Sequence, residues 1–104
     1  LRTLNLSGTR ITGLGNLELG MRDLRTLNMS KTLLSDVGLN NVAKFSKLER
    51  LDLGETAITD EALDHLLALT TLRWLNLNGT AVSDEGVTRL RAALPELEVV
   101  FEGS

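Results

Sequence analysis

The chain consists of four copies of a unit of about 24 residues. The copies read LRTLNLSGTRIT, LRTLNMSKTLLS, LERLDLGETAIT and LRWLNLNGTAVS over their first halves. Their opening residues are Leu1, Leu24, Leu48 and Leu72, and a terminal strand is predicted from Leu97. A fixed period with leucines at constant offsets indicates a solenoid, in which each unit buries its apolar face against its neighbours. We predict a single solenoid domain over residues 1–104. Because it opens on the first leucine of a unit, we interpret it as a fragment of a longer protein.

Each unit is predicted to hold a short strand, a turn and a helix. Leucine alternates with polar residues in the LxxLxL segment, which is the period of a strand with one buried face. In three units a Ser or Thr followed by Asp opens an apolar segment, as at a helix N-cap. The predicted helices cover residues 36–45, 60–69 and 84–94. Their predicted inward residues are Val37, Leu39, Val42, Leu63, Leu66, Leu67, Val87, Leu90 and Leu94. The first unit lacks the Asp and has three glycines between residues 13 and 20, so we expect an irregular segment there.

These units predict an α/β architecture. A strand, a helix and a second parallel strand make a right-handed connection. Successive strands are then expected to stack about 4.8 Å apart in one parallel sheet. Because helices are bulkier than strands, the stack should curve, with the sheet on its concave side and the helices on its convex side.

Composition argues against several classes of function. The net charge is −3 and there is no basic run, so the electrostatic footprint of a nucleic-acid binder is missing. There is no cysteine for a disulfide or a thiolate metal site. No apolar run approaches the roughly 18 residues of a membrane-spanning helix. The single histidine, His65, has no nucleophile motif beside it. We therefore predict no catalysis, no cofactor and no metal.

A column of carboxylates recurs where the predicted helices begin. Asp36, Asp60 and Asp84 occupy the same position of three units. Such a row could bind Ca²⁺, or each Asp could satisfy only the N-terminus of its own helix. The glycine-rich aspartate loop of a calcium-binding repeat is missing, which favours the second interpretation.

The concave side of the sheet is the candidate functional surface. Its first row is predicted to be Thr3, Thr26, Arg50, Trp74 and Val99, and its second row Asn5, Asn28, Asp52, Asn76 and Phe101. Trp and Arg are enriched among the residues that dominate binding energies, and Arg50 is expected to lie over the indole of Trp74 as a cation–π pair. The predicted partner-binding residues are Arg50, Asp52, Trp74, Asn76, Val99 and Phe101. An alternative, that Trp74 and Phe101 only cover the end of the stack, stays open.

The segments LRTLNLSGTRIT, LERLDLGETAIT and LRWLNLNGTAVS resemble the leucine-rich repeat, whose consensus is LxxLxLxxN/CxL. The nearest subclass is the cysteine-containing one. The Asn or Cys of the consensus is replaced here by Thr9, Thr32, Thr56 and Thr80. The resemblance implies a leucine-rich-repeat solenoid that binds a protein partner on its concave sheet, as an interaction module or scaffold. Two alternatives are the substrate-recognition arm of a ubiquitin-ligase-type complex and a purely structural spacer.

Three further expectations concern the ends and turns of the units. The Thr hydroxyl should turn inward, donate to a carbonyl and accept from an N–H of a neighbouring coil. The first unit has no upstream neighbour in the sequence, so self-association through this open end is expected. The sequons at Asn5 and Asn28 would place glycans on the concave sheet, which favours a compartment without N-glycosylation, such as the cytoplasm.

Overall fold

The computed structural model describes residues 2–12, 23–42 and 45–101. In this part of the chain five three-residue strands form one parallel sheet, in which each strand pairs with the next one along the chain. The strands are β1 (Thr3–Asn5), β2 (Thr26–Asn28), β3 (Arg50–Asp52), β4 (Trp74–Asn76) and β5 (Glu98–Val100). This arrangement confirms the predicted α/β solenoid with its sheet on the concave side.

Helices return the chain from one strand to the next. They are α1 (Asp36–Val42), a 3₁₀ turn (Asp60–Ala62) that continues into α2 (Leu63–Leu67), and α3 (Asp84–Ala93). All three begin at the predicted Asp, and in the last two the preceding Thr59 or Ser83 caps the helix with its hydroxyl. The Ser83 hydroxyl, for example, accepts from the backbone N–H of Gly86 at 3.1 Å. Each helix ends earlier than predicted, and the irregular segment expected at residues 13–20 lies outside the described residues.

The core is one aliphatic cluster that runs along the stack. Its strand side consists of the LxxLxL residues, all at most 1% exposed: Leu27, Met29, Leu51, Leu53, Leu75 and Leu77. Its helix side includes Leu39, Val42, Leu63, Leu66, Val87 and Leu90. Leu67 and Leu94 are only partly buried against it.

The predicted burial of Val37 is wrong, because 84% of this residue is exposed. Its equivalents in the next two units are Glu61 and Glu85, which are also exposed. The second residue of each helix therefore faces solvent, and a Val at this position does not change which face of the helix packs inward.

The threonine column closes the turn after each strand. Thr32 and Thr56 are buried, and their hydroxyls donate at 2.7 Å to the carbonyls of Met29 and Leu53, three residues earlier in the same coil. The hydroxyl of Thr32 also accepts from the backbone N–H of Leu34. The expected bond to a neighbouring coil is therefore wrong, although the inward position of the side chain is confirmed. A buried hydroxyl at this position is satisfied without any partner from the next repeat.

The aspartate column ties successive coils together. The Asp36 carboxylate accepts from both the backbone N–H of Thr59 at 2.8 Å and its hydroxyl at 2.6 Å. Asp60 accepts in the same way from the N–H and hydroxyl of Ser83, at 2.8 and 2.6 Å. The interpretation that each Asp satisfies only its own helix is therefore wrong for Asp36 and Asp60. Each carboxylate holds the start of the following helix in place.

The last strand pairs one residue away from the predicted register. Leu75 lies opposite Val99, and Trp74 lies opposite Glu98. Val99 is buried and Phe101 packs against the core, so the predicted placement of these two residues on the concave rows is wrong. The register that follows the leucine spacing would have turned Glu102 toward the core, which costs free energy for an unpaired charge. The observed register buries two apolar side chains instead.

Candidate protein-interaction surface

Arg50 and Trp74 form a cation–π pair on the concave sheet. They are direct neighbours in the pairing of β3 with β4, and the guanidinium carbon of Arg50 lies 4.6 Å from the centroid of the indole ring. This contact confirms the predicted pair. The parallel register brings the two side chains to the same height of the sheet, and the attraction between the cation and the ring face then restricts both rotamers.

Both side chains of this pair are outside the core. Arg50 is exposed and Trp74 is half-buried, and neither belongs to the apolar cluster or packs against it. In the described part of the chain, the indole N–H of Trp74 has no hydrogen-bond acceptor. A large aromatic ring with an unused donor is thus held on the surface by an exposed cation.

The first concave row differs from the prediction at its last position. It runs Thr3, Thr26, Arg50, Trp74 and Glu98 through the paired positions of the five strands. Trp74 therefore lies between a cation and an anion. The sequence signal that would have found Glu98 is the alternation of Leu97, Val99 and Phe101, which buries every second residue.

The second concave row has a structural role in each repeat. The side-chain oxygens of Asn5, Asn28, Asp52 and Asn76 each accept, at 3.0 Å, the backbone N–H two residues further on. This bond turns the backbone where the strand ends. The side-chain amide of Asn76 also donates to Asp52 at 3.0 Å. Asp52 and Asn76 do lie beside the Arg50–Trp74 pair, but part of their hydrogen-bonding capacity is used by the fold.

A shallow groove continues this surface beyond the strand ends. Its volume is about 420 Å³. It is lined by Ser30, Lys31, Asp52, Gly54, Glu55, Asn76, Asn78 and Gly79. Gly54 is closely surrounded at this groove, because a Cβ there would lie 3.0 Å from the side-chain nitrogen of Asn76. The groove walls are polar, in contrast to the half-buried indole of Trp74 in the first row.

The charges flanking the sheet are mostly paired between coils. Arg25 donates to Glu49 at 2.7 Å, and Lys47 donates to Asp23 at 2.8 Å. The hydrogen bond from Lys47 holds the pKa of Asp23 below its ordinary value, and the hydroxyl and N–H of Ser83 do the same for the pKa of Asp60.

No group of three or more His, Cys, Asp or Glu side chains suited to a metal occurs in the described part of the chain. None of the described helices is long and apolar enough to cross a membrane.

The candidate surface therefore consists of Arg50, Trp74, Asp52 and Asn76, with Glu98 added and Val99 and Phe101 removed. Phe101 covers the core next to the last strand, as the end-covering alternative expected for it. The ring of Trp74 is outside the core cluster, which favours the binding interpretation over end covering for this residue.

Family models of leucine-rich repeats match most of the chain: a model of two repeat copies matches residues 1–41, and a single-repeat model matches residues 46–67 and 68–90. No curated protein matches the chain.

Solved structures share the fold. A leucine-rich-repeat protein of Leptospira interrogans is 30% identical, with a TM-score of 0.76 over 97% of this chain and 25% of that one. An internalin from Listeria monocytogenes is 23% identical, with a TM-score of 0.78 over 99% of this chain and 28% of that one. The chain thus spans only about a quarter of the length of these two structures. The repeat spacing, the parallel sheet and the two family models agree, and the chain belongs to the leucine-rich repeat family.

Proposed function

We propose that the chain is a protein-interaction module that binds a partner protein on the C-terminal half of its concave sheet, around Arg50 and Trp74. The observation that carries this proposal is the cation–π pair itself. Protein binding is typical of leucine-rich repeats, which supports the general role. The pair supports the location, because Trp and Arg are the side chains that most often dominate protein interfaces.

The two halves of the sheet differ in what they offer a partner. The first row carries only threonine in β1 and β2, whereas β3 and β4 carry Arg50 and Trp74. Large side chains that are already held in one rotamer lose little conformational entropy when a partner covers them. The second row beside them is fixed by its own hydrogen bonds, so the surface is largely preorganised.

The test compares binding and folding in one substitution. Peptides are selected from a displayed random library against the wild-type chain, and their affinities are then measured for Trp74→Ala and for Thr26→Ala, the matched control in the same row. Trp74→Ala should weaken binding by about 2 kcal/mol or more, while the urea midpoint changes little because the indole is outside the core. Thr26→Ala should leave both quantities near their wild-type values.

The end-covering alternative predicts the opposite result. Under that alternative, Trp74→Ala would lower the urea midpoint strongly, and the remaining folded fraction would bind the selected peptides normally. Such an outcome would remove the binding surface from this half of the sheet.

A further inference from the structure

We propose that Arg50 and Trp74 bind one carboxylate of the partner, from an Asp or Glu side chain, with an apolar side chain next to it on the indole. This inference rests on the proposed function and names the chemistry of the segment that the concave surface recognises.

Among the described residues, Arg50 is a cation without a counter-ion. Other cations at the edges of the sheet pair with the neighbouring coil: Arg25 with Glu49 at 2.7 Å, Arg73 with Glu96 at 3.8 Å and Lys31 with Glu55 at 3.9 Å. Arg50 is the only cation within the five strands, and no carboxylate of the described residues lies within 4.0 Å of its guanidinium.

The surroundings of Arg50 explain why it has no counter-ion. Its row neighbours in the sheet are Thr26 and Trp74. Asp52 is on the same face of the same strand, but one of its oxygens already accepts from Gly54 and Asn76. Glu98 is in the same row but on the far side of the indole.

The Arg50–Trp74 pair contains hydrogen-bond donors that no acceptor in the described part of the chain uses. A guanidinium stacked on an aromatic ring keeps its N–H groups in its own plane, where they remain free to donate. The indole N–H of Trp74 is also without an acceptor in the described part of the chain. A ligand that satisfies these donors must supply acceptor oxygens, and a carboxylate matches the planar guanidinium with two parallel hydrogen bonds.

The neighbouring charges restrict the ligand to a single carboxylate. Glu98 lies next to Trp74, Asp52 lies two residues from Arg50, and the whole chain carries a net charge of −3. A run of acidic residues would be repelled by these carboxylates. A lone acidic side chain with apolar neighbours avoids the repulsion and covers the exposed part of the indole, where burial of apolar area is favourable.

The test uses three capped tripeptides, Leu-Glu-Leu, Leu-Gln-Leu and Leu-Lys-Leu. They are titrated into the full chain at millimolar concentration while the indole N–H signal of Trp74 is followed by NMR. Trp74 is the only tryptophan, so this signal reports the site alone. The glutamate peptide should bind about tenfold more tightly than the glutamine peptide, since charge-assisted hydrogen bonds are the stronger ones. The lysine peptide should bind least.

Two variants connect the effect to Arg50. Arg50→Gln should reduce the affinity of the glutamate peptide to that of the glutamine peptide. Arg50→Lys should retain only part of the difference, because an ammonium group lacks the planar fork. Arg50 is exposed, so the amide spectra of both variants should match the wild type and verify that they are folded.

The other outcomes each overturn the inference. If the glutamate and glutamine peptides shift the Trp74 signal and bind with equal affinity, the concave site remains and its preference for a carboxylate is refuted. Tighter binding of the lysine peptide would mean that Asp52 and Glu98 select a basic partner. A Trp74 signal that no peptide displaces also overturns it, whereas the proposed function fails only if Trp74→Ala leaves the selected peptides bound as before.

Discussion

Replacing Asp60 by Asn should separate the bonds between coils from the ordinary effects of an acid at a helix start. In the wild type, one Asp60 oxygen accepts the Ser83 N–H at 2.8 Å and the other accepts the Ser83 hydroxyl at 2.6 Å. An Asn side chain is of equal size but has one acceptor oxygen and no charge. It can keep the bond from the Ser83 N–H, but its NH₂ group can meet the Ser83 hydroxyl only as a donor, and neither bond is then assisted by a charge.

The magnitude follows from the kind of bond and its exposure. A hydrogen bond to a charged group contributes about 1.5–3 kcal/mol when it is buried, but Asp60 and Ser83 are exposed, so solvent screening reduces the contribution. We expect Asp60→Asn to lower the free energy of unfolding by about 1 kcal/mol more than its control. Asp36→Asn should lower the free energy of unfolding more than Asp60→Asn does, because the equivalent bonds that Asp36 accepts from Thr59 are partly buried.

The matched control is Asp84→Asn. Asp84 occupies the same position at the start of α3, and its side chain makes no hydrogen bond to the described residues. Both substitutions remove one negative charge from a helix N-terminus, an effect of about 0.3–1 kcal/mol that cancels in the comparison. Urea unfolding followed by circular dichroism measures the difference. Equal losses in the two variants would refute the stabilisation between coils.

The same bonds predict a dependence on pH. Because Ser83 holds the pKa of Asp60 below its ordinary value of 3.8, the folded chain binds the proton more weakly than the unfolded chain. The stabilisation is therefore complete above about pH 4 and is lost as the pH falls through the folded pKa. Below about pH 4, the unfolding free energy of Asp60→Asn should therefore fall less steeply with acid than that of the wild type. Near neutrality, the slope of the unfolding free energy against pH should be the same in both proteins.

Three further predictions concern the stack. Leu51→Ala should lower the free energy of unfolding by about 2–5 kcal/mol, and Leu4→Ala by less, since Leu51 is fully buried and Leu4 only partly; equal losses in urea unfolding would contradict this order. Thr56→Val should cost about 1–2 kcal/mol because it removes the donor to the Leu53 carbonyl, while Thr9→Val, at an exposed equivalent of the same bond, should cost less in the same assay. Alanine usually favours a helix over glycine by about 0.5–1 kcal/mol. Gly86→Ala should nevertheless lower the melting temperature, because its Cβ would lie 2.5 Å from the Asp60 oxygen that accepts the Ser83 N–H, and moving this oxygen weakens that bond. A raised melting temperature would show that the Asp60 side chain can turn aside without loss.

The sequence predicts the parts of the molecule that depend on the repeat spacing. A constant step of 24 residues places Arg50 beside Trp74 and Leu51 beside Leu75, and the structure confirms both neighbours. The prediction from the spacing fails at β5, where the step changes to 25 residues. There the position of Leu97 and the alternation of apolar residues along the strand predict different registers. In a strand with one buried face, the alternation decides the register. Val99 is accordingly buried, and Phe101 packs against the core.

The hydrogen-bond partners of the threonine and aspartate columns do not follow from the sequence, because they depend on the rise from one coil to the next. The inward position of Thr56 follows from the repeat, but whether its hydroxyl reaches its own coil or the next depends on the width of the turn. The bond from Asp60 to Ser83 spans 23 residues. An Asp after a Ser or Thr is equally typical of an isolated helix start. The small residue at Gly86 is the signal that could have indicated a close approach of the two coils.

In the described part of the chain, the first concave row is the one polar column without a hydrogen-bonding role in the stack. Threonines close the turns, the second concave row ends the strands, and aspartates connect the coils. In the described part of the chain, no side chain of the first row makes a hydrogen bond in any of the five strands. A substitution there, such as Thr26 to a larger residue, removes no bond on which the fold depends. A chain of this kind can therefore acquire a new partner through its first row at little cost in stability.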